Sequence, residues 1–277
     1  MSAAGSPAPS SEPDRQVGRL ARLLGVDAAE LDGLAELPDE DLRMLHGLVS
    51  EHLFGHARHR FAGIADLTRR LPGGVAGKLS ERFLPPRMAA RVAELLDPPR
   101  AAALAVQLSP DYLAELALAL DPSRSEDVIQ AVPPEAVGRA ARSLFDREEY
   151  AGVAELVPAL SDEALVAAVE AATSRDLLEL APLLVWDERI HGVVAELPDA
   201  RLDALLGEVA DEGLWSHGER LLTRLDPAVL DRLVERAADV GAEVVGSFEA
   251  ASAAGLLGPE SEAMLGRALE VRAGAPK

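Results

Sequence analysis

Leu84, Leu96, Leu108, Leu120, Val132, Leu144 and Leu156 stand twelve residues apart without a gap. So short a period leaves room for one helix and one turn. The punctuation after most of these positions agrees: Leu84-Pro85-Pro86, Leu96-Asp97-Pro98, Leu108-Ser109-Pro110, Leu120-Asp121-Pro122 and Val132-Pro133-Pro134. Asp or Ser before Pro is a helix start, because the side-chain oxygen can cap an orphan N–H and Pro at the first helical position needs none. Each unit is therefore expected to be a helix of about nine residues, ~14 Å long, followed by a tight turn.

Counting each marker as zero, apolar or small residues return at +5, +8, +9 and +12, as in Leu113, Leu116, Ala117 and Leu120, or Val137, Ala140, Ala141 and Leu144. Steps of three and four place them on one helical stripe. The same spacing recurs out of phase after Leu160, Leu197 and Leu225, and more weakly after Leu37, where His46 takes the +9 place. A helix this short is unstable alone in water and folds only by covering its neighbours. The expected fold is all-α: a right-handed superhelical α-solenoid of short helices with a helical N-terminal cap. Composition supports it. Apolar residues make up 48% and aromatics only 3%, so the core must be Leu, Ala and Val, which suits helix-on-helix packing and not a β-sandwich.

The run from Leu84-Pro85-Pro86 to Leu156, with its Leu-Asp-Pro and Leu-Ser-Pro punctuation, resembles the cytosolic N-terminal domain of MgtE-type magnesium transporters. That domain is a superhelix of short helices, similar in build to the middle domain of the flagellar switch protein FliG. The resemblance extends over about residues 80–240 and implies a regulatory or docking superhelix. The chain departs from the family in having no apolar run of the ~18 residues that span a bilayer and no strand-rich nucleotide-sensing module after the repeats. Transport is not implied, and no magnesium-site residue carries over.

The expected organisation is a disordered tail over 1–13, a helical cap region over 14–75, the repeat array over 76–255 and a C-terminal capping helix over 256–272. Within the cap region, helices are expected at 15–24, at 28–37 and from 39 to about 59, where acids open the helix and bases close it as the helix dipole prefers. Pro72-Gly73-Gly74 reads as a turn into the array. The start lacks a basic region followed by an apolar one, so no signal peptide is expected and the location is expected to be cytoplasmic.

The net charge of −20 is uneven. Residues 51–100 carry nine Lys/Arg (Arg58, Arg60, Arg69, Arg70, Lys78, Arg82, Arg87, Arg91, Arg100) against five acids. This basic belt can neutralise the acidic body of the same chain, dock on an acidic partner or a second copy, or touch nucleic acid or anionic lipid. The acidic majority repels phosphate and aromatic platforms are nearly absent, so no nucleic-acid partner is expected.

The absence of Cys excludes disulfide scaffolds, zinc ribbons, iron–sulfur ligation and a thiol nucleophile. His52, His56 and His59 fall at i, i+4 and i+7 and would share a helical face, where two imidazoles can chelate a metal. They can equally form a pH-sensitive contact or a solvated part of the basic belt. The acid clusters Asp39-Glu40-Asp41, Asp146-Arg147-Glu148-Glu149, Ser161-Asp162-Glu163 and Asp211-Glu212 each read as a helix start. Gly73 to Ser80 fails the phosphate-loop pattern, since Gly77-Lys78 is followed by Leu79. Trp186 and Trp215 read as gap fillers between helices or as interface anchors. No Gly-x-Ser-x-Gly is present. The expected function is a non-enzymatic protein-interaction scaffold or adaptor without a cofactor, with Arg58, Arg60, Arg69, Arg70, Trp186 and Trp215 as candidate partner contacts. The alternative is a divalent-cation-responsive regulatory module. Self-association, belt 58–100 against acidic body, is a further expectation.

Overall fold

The computed structural model describes residues 12–24, 26–54, 58–211, 213–239 and 242–274, which are helical with no strand among them. The chain divides into two compact units, one ending at Ala167 and the other beginning at Ala168.

The first unit opens with α1 (Glu12–Leu24), a 3-10 turn at Ala28–Leu34 and α2 (Asp39–Phe54). It continues with α3 (Arg58–Arg70), α4 (Gly73–Phe83), α5 (Pro86–Ala93), α6 (Pro98–Ala105), α7 (Pro110–Ala119), α8 (Glu126–Gln130), α9 (Pro134–Phe145) and α10 (Tyr150–Leu156), and α11 (Asp162–Ala171) spans its end. From α3 to α9 each helix packs on the next but one: α3, α5, α7 and α9 form one row, and α4, α6 and α8 a second. The second unit holds α12 (Ser174–Leu180), α13 (Glu188–Ala195), α14 (Asp199–Asp211), α15 (Trp215–Leu222), α16 (Pro227–Asp239), α17 (Ala242–Ala253) and α18 (Pro259–Gly274). There α12, α14, α16 and α18 form the row, and α15 lies against α12, α14 and α18.

The twelve-residue marker coincides with turns at Leu84, Leu96, Leu108, Leu120 and Val132, then slips: Leu144 is buried inside α9 and Leu156 ends α10. The slip follows from unequal helices, α8 having five residues and α9 twelve. Ala90, Ala114, Ala136 and Ala164 are fully covered. A methyl at these places lets neighbouring helices approach closely, which is why so Ala-rich a chain can bury a core with few aromatics.

Several local expectations change. Asp97 (φ −67°, ψ 143°) and Ser109 (φ −64°, ψ 150°) have N-cap backbone geometry, yet neither side chain caps its helix. The fixed φ of the following Pro already sets the helix entry. That frees Asp97 to face Arg69 Nε at 3.6 Å. Side-chain caps occur where no Pro follows, as at Thr173, which forms a capping box with Asp176, and at Asp187. Gly73 and Gly74 are not a turn but the first residues of α4, entered from Pro72. A Cβ on Gly77 would stand 2.9 Å from Gln107 Cβ, so glycine lets α4 settle on the end of α6. The long helix expected from 39 ends at Phe54, and α3 begins at Arg58. Asp146-Arg147-Glu148-Glu149 closes α9 as well as opening α10: Glu148 has φ 57°, the Glu149 amide donates back to Leu144 O at 3.0 Å, and Glu149 O accepts from Val153 N at 3.0 Å as the N-cap of α10. Asp211 likewise ends α14, while Ser161-Asp162-Glu163 does open α11.

One set of bonds was not anticipated. Near the start of a helix, a long polar side chain donates to the last carbonyls of the helix three places earlier. Arg100 in α6 reaches Thr68 O and Leu71 O at the end of α3. Tyr112 in α7 reaches Ser80 O (3.2 Å) and Leu84 O (2.7 Å) at the end of α4. Arg139 in α9 reaches Val106 O at 3.3 Å, and Arg201 in α14 reaches Ala172 O. Arg232 in α16 reaches Ala195 O (2.6 Å) and Leu197 O (2.8 Å). These satisfy carbonyls that every helix end leaves orphaned. Acids do the reciprocal work on amides: Glu81 of α4 accepts from Ser109 N at the start of α7, and Glu219 of α15 accepts from Glu260 N (2.9 Å) and Ser261 N (2.8 Å) at the start of α18.

Candidate functional site

Three cations of the basic belt serve their own chain. Arg69 binds Asp66 and donates to Leu95 O at 2.8 Å. Arg91, buried to 8% exposure, pairs with Glu94 at 2.5 Å, and Arg100 closes the end of α3. The side chains of Arg58 and Arg60 lie outside the described residues. Arg70, Lys78, Arg82 and Arg87 are exposed.

Two of these exposed cations, Lys78 and Arg82, stand on α4, which also carries an apolar ridge. Its glycine face packs inward: Gly77 is buried, and a Cβ on Gly73 or Gly74 would stand 3.7 Å from Ala103 O or 3.4 Å from Gln107 Oε1. At ~100° per residue, the opposite face carries Val75, Leu79 and Phe83 at i, i+4 and i+8. They are 47%, 41% and 69% exposed. Lys78 and Arg82 follow one edge of the ridge, and the Arg82 guanidinium carbon lies 5.8 Å from the Phe83 ring centroid. Exposed apolar side chains also occur at Met44 and Leu48 on α2 and at Met88 on α5.

A cleft of about 620 Å³ opens in the first unit between α1–α2 and the α5–α7 region. Arg43, His46, Arg87 and Arg91 line it together with Glu115, Asp121 and Glu155, and Leu23, Leu118 and Pro86 supply apolar wall. Its charges are mixed in sign, and Arg91 and Glu115 already hold Glu94 and Arg147.

The shifted ionisations lie at interhelical ties. Asp111 is held below the usual carboxylate range by the Ser143 hydroxyl (2.6 Å) and by Arg147. Asp199 is held low by Arg232. Burial works to raise Glu219, but the Ser261 hydroxyl and the amides of Glu260 and Ser261 outweigh it and leave it lowered. Burial, with Glu81 and Glu115 nearby, pushes the Tyr112 phenol up to about 12. Tyr112 and Glu219 secure helix ends, while Asp111 ties α7 to α9 and Asp199 ties α14 to α16.

Ser216 Oγ stands 3.5 Å from His217 Nδ1, and His217 Nε2 stands 3.2 Å from Glu179. The order resembles a nucleophile–base–acid relay. However, 3.5 Å is outside good hydrogen-bond geometry, and consecutive residues on a helix point ~100° apart. The His217–Glu179 contact joins α15 to α12.

His52 is exposed in the last turn of α2. His56 and the side chain of His59 lie outside the described residues. Among the described residues, no group of three or more His, Asp or Glu is placed to hold a metal ion. Both tryptophans belong to the second unit. Trp186 Nε1 donates to Ala181 O at 3.0 Å and its ring meets His191 edge-on at 5.3 Å. Trp215 meets Phe248 edge-on at 5.1 Å, against the buried cluster around Leu205 and Val234. Among the described residues, no helix is long and apolar enough to cross a membrane.

Sequence reasoning missed the α4 ridge because Pro72-Gly73-Gly74 reads as a turn, and Val75, Leu79 and Phe83 fall outside the +5, +8, +9 and +12 stripe; the glycines at 73, 74 and 77 hint at the packed face. It also missed the ties. Their signal is an Arg or Tyr at the third or sixth helical position: Arg100, Tyr112 and Arg201, then Arg139 and Arg232. Comparison with protein-family models, curated proteins and solved structures returns no match.

Proposed function

We propose that this chain is a non-enzymatic interaction scaffold or adaptor that docks a protein partner on the outward face of α4. The observation that supports this reading is the apolar ridge Val75–Leu79–Phe83, exposed beside Lys78 and Arg82. A monomeric surface scatters single apolar side chains, and an ordered row of them with a polar edge marks an interaction site. On this reading the helices of each unit wind as a right-handed superhelix, the protein works in the cytoplasm, and its kinship of build is with the docking superhelix of MgtE-type transporters. A photo-cross-linking amino acid at position 79, in cells expressing the chain from its own gene, tests it. A discrete adduct is expected from position 79 and not from position 163, which is exposed on α11. No adduct from position 79 would overturn the reading.

A further inference from the structure

The α4 ridge carries enough chemistry to say what covers it. Val75 to Phe83 spans two turns, a rise of ~12 Å. A row at i, i+4 and i+8 is the ridge that fits between the side-chain rows of a second helix, and an amphipathic helix presents apolar anchors over the same two turns. Charge decides the sign of that helix. Lys78 and Arg82 border the apolar row. The one acid of α4, Glu81, accepts from the Ser109 amide. The whole chain is at −20, but the Debye length is about 8 Å at physiological salt, so the cations at the ridge edge outweigh distant acids. The same distant acids disfavour an anionic bilayer, a far larger surface that would have to approach the body as well.

We propose that the α4 ridge receives an acidic amphipathic helix of a partner protein, its apolar anchors across Val75, Leu79 and Phe83 and its carboxylates against Lys78 and Arg82. This rests on the docking reading above and names the partner's chemistry.

Two fluorescein-labelled, stapled helical peptides test it on the full chain by anisotropy. Both carry Leu at i, i+4 and i+8; one has Glu on its flanks and its twin has Lys. Saturable binding of the Glu peptide is expected, about tenfold or more tighter than its twin and weakened severalfold between about 50 and 500 mM salt. Leu79→Asp should abolish binding, with far-ultraviolet dichroism unchanged and the melting temperature only slightly lowered, since Leu79 is 41% exposed and Asp is a poorer helix former than Leu. Lys78→Glu with Arg82→Glu should invert the preference. Equal binding of the two peptides, or indifference to charge reversal, would overturn the proposal. So would co-sedimentation with anionic phosphatidylglycerol vesicles lost in Leu79→Asp. A wild-type dimer that Leu79→Asp turns into a monomer in sedimentation would also overturn it, making the occupant a second copy. In these cases an adduct from position 79 leaves the docking reading standing while the acidic helix falls; without that adduct both fall.

Discussion

Tyr112 shows how much a single side chain does in this chain. Its one hydroxyl proton goes to Leu84 O (2.7 Å), with Ser80 O a longer second contact (3.2 Å), from a place where burial holds the phenol neutral up to about pH 12. A group whose pKa is raised on folding contributes stability in full below its unfolded value, near 10 for tyrosine, and loses it as pH rises through the folded value. In a Tyr150→Phe background, ultraviolet titration should therefore find Tyr112 ionising near pH 12, with stability falling between about 10 and 12. Tyr112→Phe should cost about 1–2 kcal/mol at neutral pH, measured by urea unfolding, and remove that alkaline loss. Glu219 carries the opposite sign. Its lowered pKa contributes stability above the ordinary carboxylate value of about 4.3, lost as pH falls through the folded one. Glu219→Ala should cost about 0.5–2 kcal/mol, as loss of a helix cap does, and flatten the acid limb of the stability profile. Gly258→Ala should do much the same, because its Cβ would stand 2.4–2.5 Å from the Glu219 carboxylate.

At the scale of elements, the turns were largely legible. Leu84, Leu96 and Leu108 sit where the Pro punctuation put them, and the +5 and +8 residues Leu113 and Leu116 are buried. Helix length was not, because a period counts residues and cannot tell a short helix with a long turn, as at α8, from a long helix with a short one, as at α9. Asp97 and Ser109 were read correctly as helix starts, but for the wrong bond: Pro settled the geometry and left the side chain free for longer-range work. The candidate site was only half legible. The sign of the belt was visible, but which cations turn inward depends on partners such as Leu95 O for Arg69, some two dozen residues away, and no local pattern reports that. Gly77 is the test of how α4 is oriented. Gly77→Ala should push α4 from Gln107 and cost about 1–3 kcal/mol, despite the higher helix propensity of Ala, as read by thermal melting. A gain in stability would mean that the glycine face is not the packed one.

For the whole molecule, the division at Ala167/Ala168 gives each unit its own buried cluster. One includes Phe61, Val92 and Leu104, and the other Leu178, Leu202 and Leu233. Stability in a stack of short helices is a sum of local and nearest-neighbour contributions, so a core lesion in one unit should act mainly there. Leu202 is 1% exposed, and Leu202→Ala should cost about 2–5 kcal/mol by cavity formation. In urea unfolding followed by far-ultraviolet dichroism, the lesion should split the transition into an early and a late part.

The placement of the aromatic side chains makes that split observable without any label. Trp186 and Trp215 both belong to the second unit, while Tyr112 and Tyr150 both belong to the first. Indole emission is thus a private channel for the second half of the chain, while far-ultraviolet dichroism follows both halves. A single cuvette can follow the two halves coming apart and say which goes first.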